Sequence, residues 1–337
     1  MGEFLILKRS LLLELAFGGA MGIQVALYES HMRGQVLDLF SLEYGYDRNA
    51  FEKTFLSFYE HQFQRDSAFR VVALDGDRVV GFQSFFLWPY VYQTPLRTFQ
   101  SGNSLVHPEY RGRGIFRKLL DFIHERAVES EVSFLVGFPV VASFGSFIRN
   151  GWVNVLDLRW YAKPLSPFFF LHRFRDEFGR GFGVRDDTIL EIEKDCFRLA
   201  TSPEFLEWRE SFASTTRHSY EFKDGEYRAR FELKFSRRGR WLREATIGNV
   251  VTTSEEGGYL MRAFVALTRE LRRERSLAFV SIVINEDAPV SLGATLKATG
   301  FRRLEKKIHF VVKRIASDLP IEDPKRWILY RSDIDTW

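Results

Sequence analysis

Residues 107–120 read HPEYRGRGIFRKLL, in which two arginines alternate with two glycines directly before an amphipathic run. The first amides of a helix have no intrahelical acceptor and carry partial positive charge, so an anion placed there gains hydrogen bonds. Gly112 and Gly114 allow the backbone to expose successive amides as a nest. Arg111 and Arg113 add positive charge around it. The stretch therefore predicts an anion-binding loop at the mouth of a helix, with a solvated Arg-Gly turn as the alternative.

The segments on both sides of this loop alternate between strand and helix patterns. Residues 98–108 predict the strand that leads into the loop, and residues 114–129 predict a helix with one apolar face. The turn residues 75–77, Asp-Gly-Asp, predict an antiparallel hairpin. A short helix is predicted over residues 141–150, after an apolar strand typical of a sheet interior. Together these patterns predict an α/β unit.

The second half of the chain repeats the order of the first: helix, apolar strand, short helix and a further strand opened by glycine and an aromatic residue. Such a repeat indicates a duplicated unit. At its helix mouth, Glu255 and Glu256 stand where the first unit has arginines, and carboxylates repel an anion. We therefore predict that only the first unit binds an anionic ligand. The predicted division is 1–21 leader or disordered extension, 22–163 N-terminal domain, 164–185 linker, 186–316 C-terminal domain without a cofactor site and 317–337 C-terminal tail.

The run 111–116, Arg-Gly-Arg-Gly-Ile-Phe, resembles the signature of the GCN5-related N-acetyltransferase (GNAT) superfamily. In that signature Arg or Gln is followed by two residues, Gly, one residue, and Gly or Ala. The resemblance covers residues 22–163 in the proper element order, and the repeat resembles tandem-GNAT bacterial acetyltransferases. It implies an α/β fold of two tandem GNAT-like units, each a mixed, mostly antiparallel central sheet flanked by helices.

The resemblance also implies a reaction and a co-substrate. Family members transfer an acetyl or other acyl group from acetyl-CoA (acyl-CoA) to an amine, and for this chain the implied acceptor is a primary amine such as an amino sugar or polysaccharide precursor. Phe116 departs from the small residue usual at its position. The implied cofactor-binding residues are Leu105, Val106, Arg111, Gly112, Arg113, Gly114, Ile115, Phe116 and Ser143.

The sequence does not show the residues that family members commonly use for proton transfer. An amine with a pKa of about 10.4 is mostly protonated at pH 7, so a base is useful. Family members often place a glutamate on the fourth strand and a tyrosine on the short helix, and this sequence has neither. Phe147 stands at the tyrosine position, and Val140 replaces the polar residue often found after the fifth strand. Histidine is a common general base, so His107 is a candidate catalytic residue, although a histidine before proline is also typical of a plain surface residue.

The C-terminal residues offer a second set of catalytic candidates. In relatives of the enhanced-intracellular-survival type the terminal carboxylate enters the active site. By that resemblance Asp333, Asp335 and the carboxylate of Trp337 are candidate bases. The alternative is a solvated acidic end.

Composition narrows the remaining function classes. A net charge of +4 over 337 residues falls short of the concentrated basic face of a nucleic-acid binder. The single cysteine, Cys196, excludes an internal disulfide and a cysteine-based metal cage and fits a cytoplasmic protein. We predict no metal, no nucleic-acid partner and no membrane span. Two other functions stay open: a non-catalytic acyl-CoA sensor or scaffold, and a FemABX-like aminoacyl transferase, against which the Arg-Gly-x-Gly loop argues.

Overall fold

The computed structural model describes residues 22–171, 195–212, 217–239, 242–254, 256–289 and 292–336. They form two compact units that are not consecutive along the chain. Unit 1 contains the described residues within 1–52, 69–84 and 103–123, and unit 2 contains those within 53–68, 85–102 and 124–337.

The described residues form strands, α-helices and short 3₁₀ turns. The strands are β1 (Gln24–Leu27), β2 (Phe69–Asp75), β3 (Arg78–Leu87), β4 (Tyr90–Tyr92), β5 (Thr94–Pro95), β6 (Thr98–Val106), β7 (Phe134–Gly137), β8 (Val153–Pro164), β9 (Arg198–Leu199), β10 (Arg217–Asp224), β11 (Tyr227–Arg238), β12 (Leu242–Thr252), β13 (Phe279–Ile284) and β14 (Arg302–Arg314). The helices are α1 (Arg33–Tyr44), α2 (Arg48–Tyr59), α3 (Gln62–Arg65), α4 (Ile115–Glu129), α5 (Val141–Arg149), α6 (Pro203–Ser211), α7 (Gly257–Arg273) and α8 (Leu292–Ala298).

Unit 1 contains strands in the order β1-β2-β3-β6. The predicted hairpin joins β2 to β3, and Gly76 at its turn has φ of 59°, a conformation that glycine adopts without strain. Gly81 on β3 allows the start of α4 to approach the strand closely, because a Cβ there would lie 3.0 Å from Cγ2 of Ile115 and 3.4 Å from the carbonyl of Leu105. This packing holds the helix mouth against the end of β6.

Unit 2 contains strands in the order β6-β7-β14-β8-β13-β12-β11-β10. The pairs β6–β7 and β12–β13 are parallel and the other neighbours in this run are antiparallel. The α/β fold with a mixed, mostly antiparallel sheet is therefore confirmed. Strand β14, the last strand of the repeated order, lies between β7 and β8 of the first half. The two halves thus share one run of strands, because β14 forms hydrogen bonds on both of its edges.

The segment predicted as a tail packs into unit 2 as far as residue 336. Trp327 is fully buried and Ile334 is 4% exposed. Tyr330 forms an antiparallel β-bridge with Ile284 at the end of β13. The side-chain amide of Asn285 donates to the carbonyl of Trp327 at 2.8 Å. The apolar core therefore includes Trp327, Leu329, Tyr330 and Ile334.

Some predictions fall outside the described residues. These are the leader 1–21, most of the linker 164–185, Glu255 and Trp337. The sequential domain division stays a prediction. Within the ranges that the structure describes, no helix combines the length and the apolar character needed to cross a membrane.

Candidate acyl-CoA site

The loop between β6 and α4 has two glycines in the left-handed region. Gly112 has φ of 77° and Gly114 has φ of 75°. A Cβ at either position would meet no other atom within 4 Å, so the backbone is open on that side. The helical hydrogen bonds begin where the amide of Lys118 donates to the carbonyl of Gly114 at 3.1 Å. The amides before Lys118 are therefore those that a helix leaves without an intrahelical acceptor.

This geometry has the features of an anion-binding nest. Left-handed glycines turn neighbouring amides toward one side, and the helix dipole adds partial positive charge at the same place. Ile115 is 1% exposed and fixes the first helical residue to the core of unit 1. Leu105, 2% exposed, fixes the end of β6 in the same way, whereas Phe116 is half-buried. Cofactor binding by these residues stays a prediction.

Arg111 anchors the loop, and the positive charge of its guanidinium is balanced by a carboxylate. Its guanidinium forms an ion pair with Glu43 on α1, and its Nε donates to the carbonyl of Val106 at 3.2 Å. Sequence reasoning missed Glu43, because it lies far from the loop in the chain and no local pattern marks it. The ion pair with Glu43 offsets the positive charge of Arg111, which the sequence pattern predicts to be available to a bound phosphate.

Arg113 is the cation that the loop presents without a carboxylate partner. Its guanidinium lies 4.8 Å from the ring centroid of Tyr110 and donates to the carbonyl of Glu109 at 3.1 Å. Within the described part of the chain no carboxylate lies at ion-pair distance from it. Tyr110 is itself anchored by a 2.7 Å hydrogen bond to Asp75, which raises the pKa of the phenol. Arg113 therefore keeps its charge beside the nest.

His107 is engaged at both ring nitrogens. Arg78 lies 3.0 Å from Nε2, and because an arginine can only donate, that nitrogen is the acceptor. Nδ1 of the neutral ring then carries the proton, so it cannot accept from the amide of Glu109, which lies 3.4 Å away, and it faces the Glu109 carboxylate at 3.9 Å. A role for His107 as a base would require Arg78 to move, and the catalytic assignment stays a prediction.

The short helix α5 in unit 2 carries the other positions compared with the family. Phe147 is 2% exposed and packs edge-on against Trp152, with ring centroids 4.9 Å apart. Its ring therefore serves the core. Ser143 is half-buried, and its hydroxyl donates to the carbonyl of Val140 at 3.2 Å. Cofactor binding by Ser143 stays a prediction.

The C-terminal carboxylates of unit 2 are withdrawn from solvent. Asp333 is 6% exposed, so the alternative of a solvated acidic end is wrong for it. Its Oδ2 accepts a 2.5 Å hydrogen bond from the amide of Tyr330, and its carbonyl accepts one of 3.0 Å from Nε1 of Trp88. Burial raises the pKa of Asp333 to about 7. Burial also raises the pKa of the half-buried Asp335. Trp337 lies outside the described residues.

Comparison with known proteins identifies the fold of both halves. Residues 27–153 match the family model described as an acetyltransferase (GNAT) domain. A protein from Enterococcus faecalis described as a probable N-acyltransferase has a similar structure, with a TM-score of 0.62 and 12% identity over 88% of this chain and 73% of that one. No curated protein sequence matches the chain.

Two further solved structures are similar over most of their length. The GCN5-related N-acetyltransferase of Anabaena variabilis has a TM-score of 0.56 and 12% identity over 87% of this chain and 73% of that one. The N-myristoyltransferase of Saccharomyces cerevisiae, solved with bound myristoyl-CoA, has a TM-score of 0.55 and 11% identity over 90% of this chain and 83% of that one. At these identities the likeness shows a shared fold.

Proposed function

We propose that this protein transfers an acetyl or other acyl group from acyl-CoA to a primary amine, because residues 27–153 match the family model described as an acetyltransferase (GNAT) domain. The observation that carries the proposal is the pair of left-handed glycines, Gly112 and Gly114, open on one side at the mouth of α4. An amino sugar or polysaccharide precursor is the proposed acceptor. The chain has a single cysteine, Cys196, which is buried, and such sparse cysteine usage supports a reducing, cytoplasmic setting.

The proposed binding mode follows from the loop. The pyrophosphate of the co-substrate accepts hydrogen bonds from the amides around Gly112 and Gly114, and Arg113 contributes the nearby positive charge. Charge-assisted bonds of this kind contribute about 1.5–3 kcal/mol each. The pantetheine arm is proposed to follow β6, because the paired register of β6 with β7 ends at Gln100 and Val136 while β6 continues to Val106.

The second helix mouth supports a single cofactor site. Neither Gly257 nor Gly258 has a positive φ. The start of α7 therefore lacks the left-handed glycines of a nest. Glu256 occupies the N-cap position of this helix without a side-chain capping hydrogen bond, so an acidic residue stands next to the helix mouth. Both features disfavour an anion there.

Variants at His107 separate catalysis from local structure. Because Arg78 already donates to Nε2, we expect His107→Asn, whose side-chain oxygen can accept from the amide of Glu109, to retain acetyl transfer. His107→Ala removes the acceptor of Arg78 and offers no capping oxygen, and it is expected to lower stability by about 1 kcal/mol. Transfer rates and thermal unfolding of both variants check this. A loss of about 10²- to 10⁴-fold in both variants would instead make His107 the base.

A non-catalytic acyl-CoA sensor is the second candidate, and the core position of Phe147 favours it. A family tyrosine at that position would supply a proton to the leaving thiolate, and a phenylalanine cannot. An active enzyme must therefore use another donor or protonate the thiolate from solvent.

Calorimetric titration with acetyl-CoA, followed by thiol release in the presence of simple amines and amino sugars, tests these functions. Binding with turnover on an amine supports the transferase. Binding without turnover on any acceptor identifies the sensor. Absence of binding overturns both functions.

A further inference from the structure

Two polar side chains of unit 2 are fully buried without a protein partner. Gln100 on β6 and Tyr90 on β4 both have zero exposure. Neither amide atom of Gln100, nor the hydroxyl of Tyr90, has a hydrogen-bond partner among the described residues. Buried polar groups in folded proteins are nearly always partnered, because leaving them unpaired costs their full desolvation. These two side chains therefore point to a ligand that is not part of the chain.

Gln100 lies on the face of β6 against which Tyr90 of β4 packs. Thr98 and Gln100 alternate with Phe99, so they point to one side of the strand. Thr98 pairs with Phe134 in the parallel register, which puts the ring of Phe134 on that side as well. The Tyr90 ring lies 6.3 Å from the Phe134 ring, and its amide donates to Oγ1 of Thr98 at 3.0 Å. Tyr90 and Gln100 thus face a common interior region.

The chemistry of this region suits an uncharged group with both donor and acceptor character. The Gln100 amide offers a carbonyl oxygen and two N–H donors and does not titrate. Burial raises the pKa of Tyr90, with Asp333 and Arg209 as the charged groups acting on it. Trp327 closes the region with a ring 5.2 Å from that of Tyr90. An ammonium ion would lose its hydration here, whereas a neutral amine keeps its hydrogen bonds.

We infer that Gln100 and Tyr90 form the binding site for the neutral form of the acceptor amine. The inference rests on the proposed acyl transfer and names how its acceptor is bound. One N–H of the amine donates to Oε1 of Gln100, which leaves the nitrogen lone pair free to attack the thioester carbon. The C–N bond forms as the C–S bond breaks, and the proton lost by nitrogen passes to the departing thiolate. The products are an amide and the free thiol of coenzyme A.

Selective binding of the neutral amine takes the place of deprotonation by a catalytic base. Because burial disfavours the charged ammonium form, the site binds the amine after the amine has lost its proton to solvent. The missing glutamate on β6 is then no obstacle to transfer, since Gln100 binds the nitrogen that a base would otherwise have to deprotonate.

The test compares Gln100→Leu with a matched control. Gln64 is also fully buried, but its amide donates to the carbonyl of Leu87 at 3.1 Å and accepts from the amide of Leu87 at 2.9 Å. Gln100→Leu removes polar atoms that have no protein partner, so its unfolding temperature should equal or exceed that of the wild type. Gln64→Leu should unfold at a lower temperature. The same contrast holds for Tyr90→Phe, which should unfold like the wild type.

Activity is measured with acetyl-CoA and two probe amines, hydroxylamine and ethanolamine. We expect Gln100→Leu and Tyr90→Phe to bind acetyl-CoA as the wild type does and to lose about 10- to 100-fold in kcat/KM for the amine. Gln64→Leu should keep the wild-type value. Gln100→Glu should retain transfer and add a new ionisation to the pH profile of kcat/KM, because glutamate titrates and glutamine does not.

The outcomes separate this inference from the proposed function. Wild-type protein that transfers acetyl groups while Gln100→Leu transfers equally well overturns the inference alone. Wild-type protein that binds acetyl-CoA but acetylates neither amine overturns acyl transfer to amines, and the inference with it. A stable Gln100→Leu variant with intact acetyl-CoA affinity and lost transfer supports both.

Discussion

Replacing Gly112 and Gly114 together by valine is expected to lower the affinity for acetyl-CoA by about 10²- to 10⁴-fold. Both glycines are left-handed, and a β-branched residue pays about 1–2 kcal/mol to stay there. The loop therefore relaxes to negative φ and turns its amides away from the pyrophosphate. The loss of two charge-assisted hydrogen bonds at about 1.5–3 kcal/mol each accounts for the expected range. Calorimetric titration with acetyl-CoA measures it.

Gly225 provides the matched control for this variant. It has φ of 62°, and a Cβ there would also meet nothing within 4 Å, but it lies in the turn between β10 and β11. Gly225→Val carries the same backbone strain and should lower thermal stability without changing acetyl-CoA affinity. If Gly112 and Gly114 can be replaced with no change in affinity, the pyrophosphate is bound elsewhere and the proposed binding mode is wrong.

Replacing Asp333 by asparagine is expected to stabilise the protein at pH 8 and to change little at pH 4. Burial raises the pKa of Asp333 from 3.8 to about 7, so the folded state holds a proton that the unfolded state loses near pH 4. The stability of the wild type therefore falls as pH rises from about 4 to about 7, and the cost is fully present above that. Three pK units at 1.36 kcal/mol each set an upper limit of about 4 kcal/mol.

Asparagine keeps the local geometry, because its side-chain oxygen can accept the hydrogen bond from the amide of Tyr330. Thermal unfolding at both pH values measures the effect. Asp323 is the control, since it caps the turn Pro324–Arg326 by accepting from the amide of Lys325 at 3.0 Å but is 42% exposed. Asp323→Asn keeps a capping oxygen but loses the ion pair with Arg326, so it should not stabilise the protein at pH 8. A loss of stability at pH 8 for Asp333→Asn would mean that the ionised carboxylate stabilises the fold.

The same variant bears on the reaction. If the Asp333 carboxylate is the base, Asp333→Asn loses transfer although it gains stability. If its role is only to cap the turn and accept from Tyr330, transfer is kept. Either result is clear because asparagine preserves the fold at both pH values.

Local chemistry made part of this protein predictable from its residues. The hairpin at Gly76, the helix α4 and the left-handed glycines of the loop follow from turn residues, apolar periodicity and the need for positive φ. Each of these features depends on neighbours within a few positions of the chain. Phe147 shows the limit of prediction from local sequence, because its residue type does not reveal that its ring packs against Trp152.

Contacts between residues far apart in the chain could not be predicted from local sequence patterns. The pairing of Arg111 with Glu43 balances a charge that the sequence had assigned to a phosphate. Strand β14 pairs between β7 and β8, and no local pattern in the sequence marks these two partners. The polar atoms of Gln100 stand out only once burial and the absence of a protein partner are known.

The sequence by itself determined the loop with two left-handed glycines, the order of the elements and the GNAT-like pattern, since all three depend on short-range backbone preferences and periodicity. The tertiary structure alone decided which charges are balanced, which carboxylates are buried and which polar groups lack a partner. The physical reason is that desolvation and ion pairing depend on atoms brought together from residues far apart in the chain, such as Arg111 with Glu43 and Asp333 with Trp88.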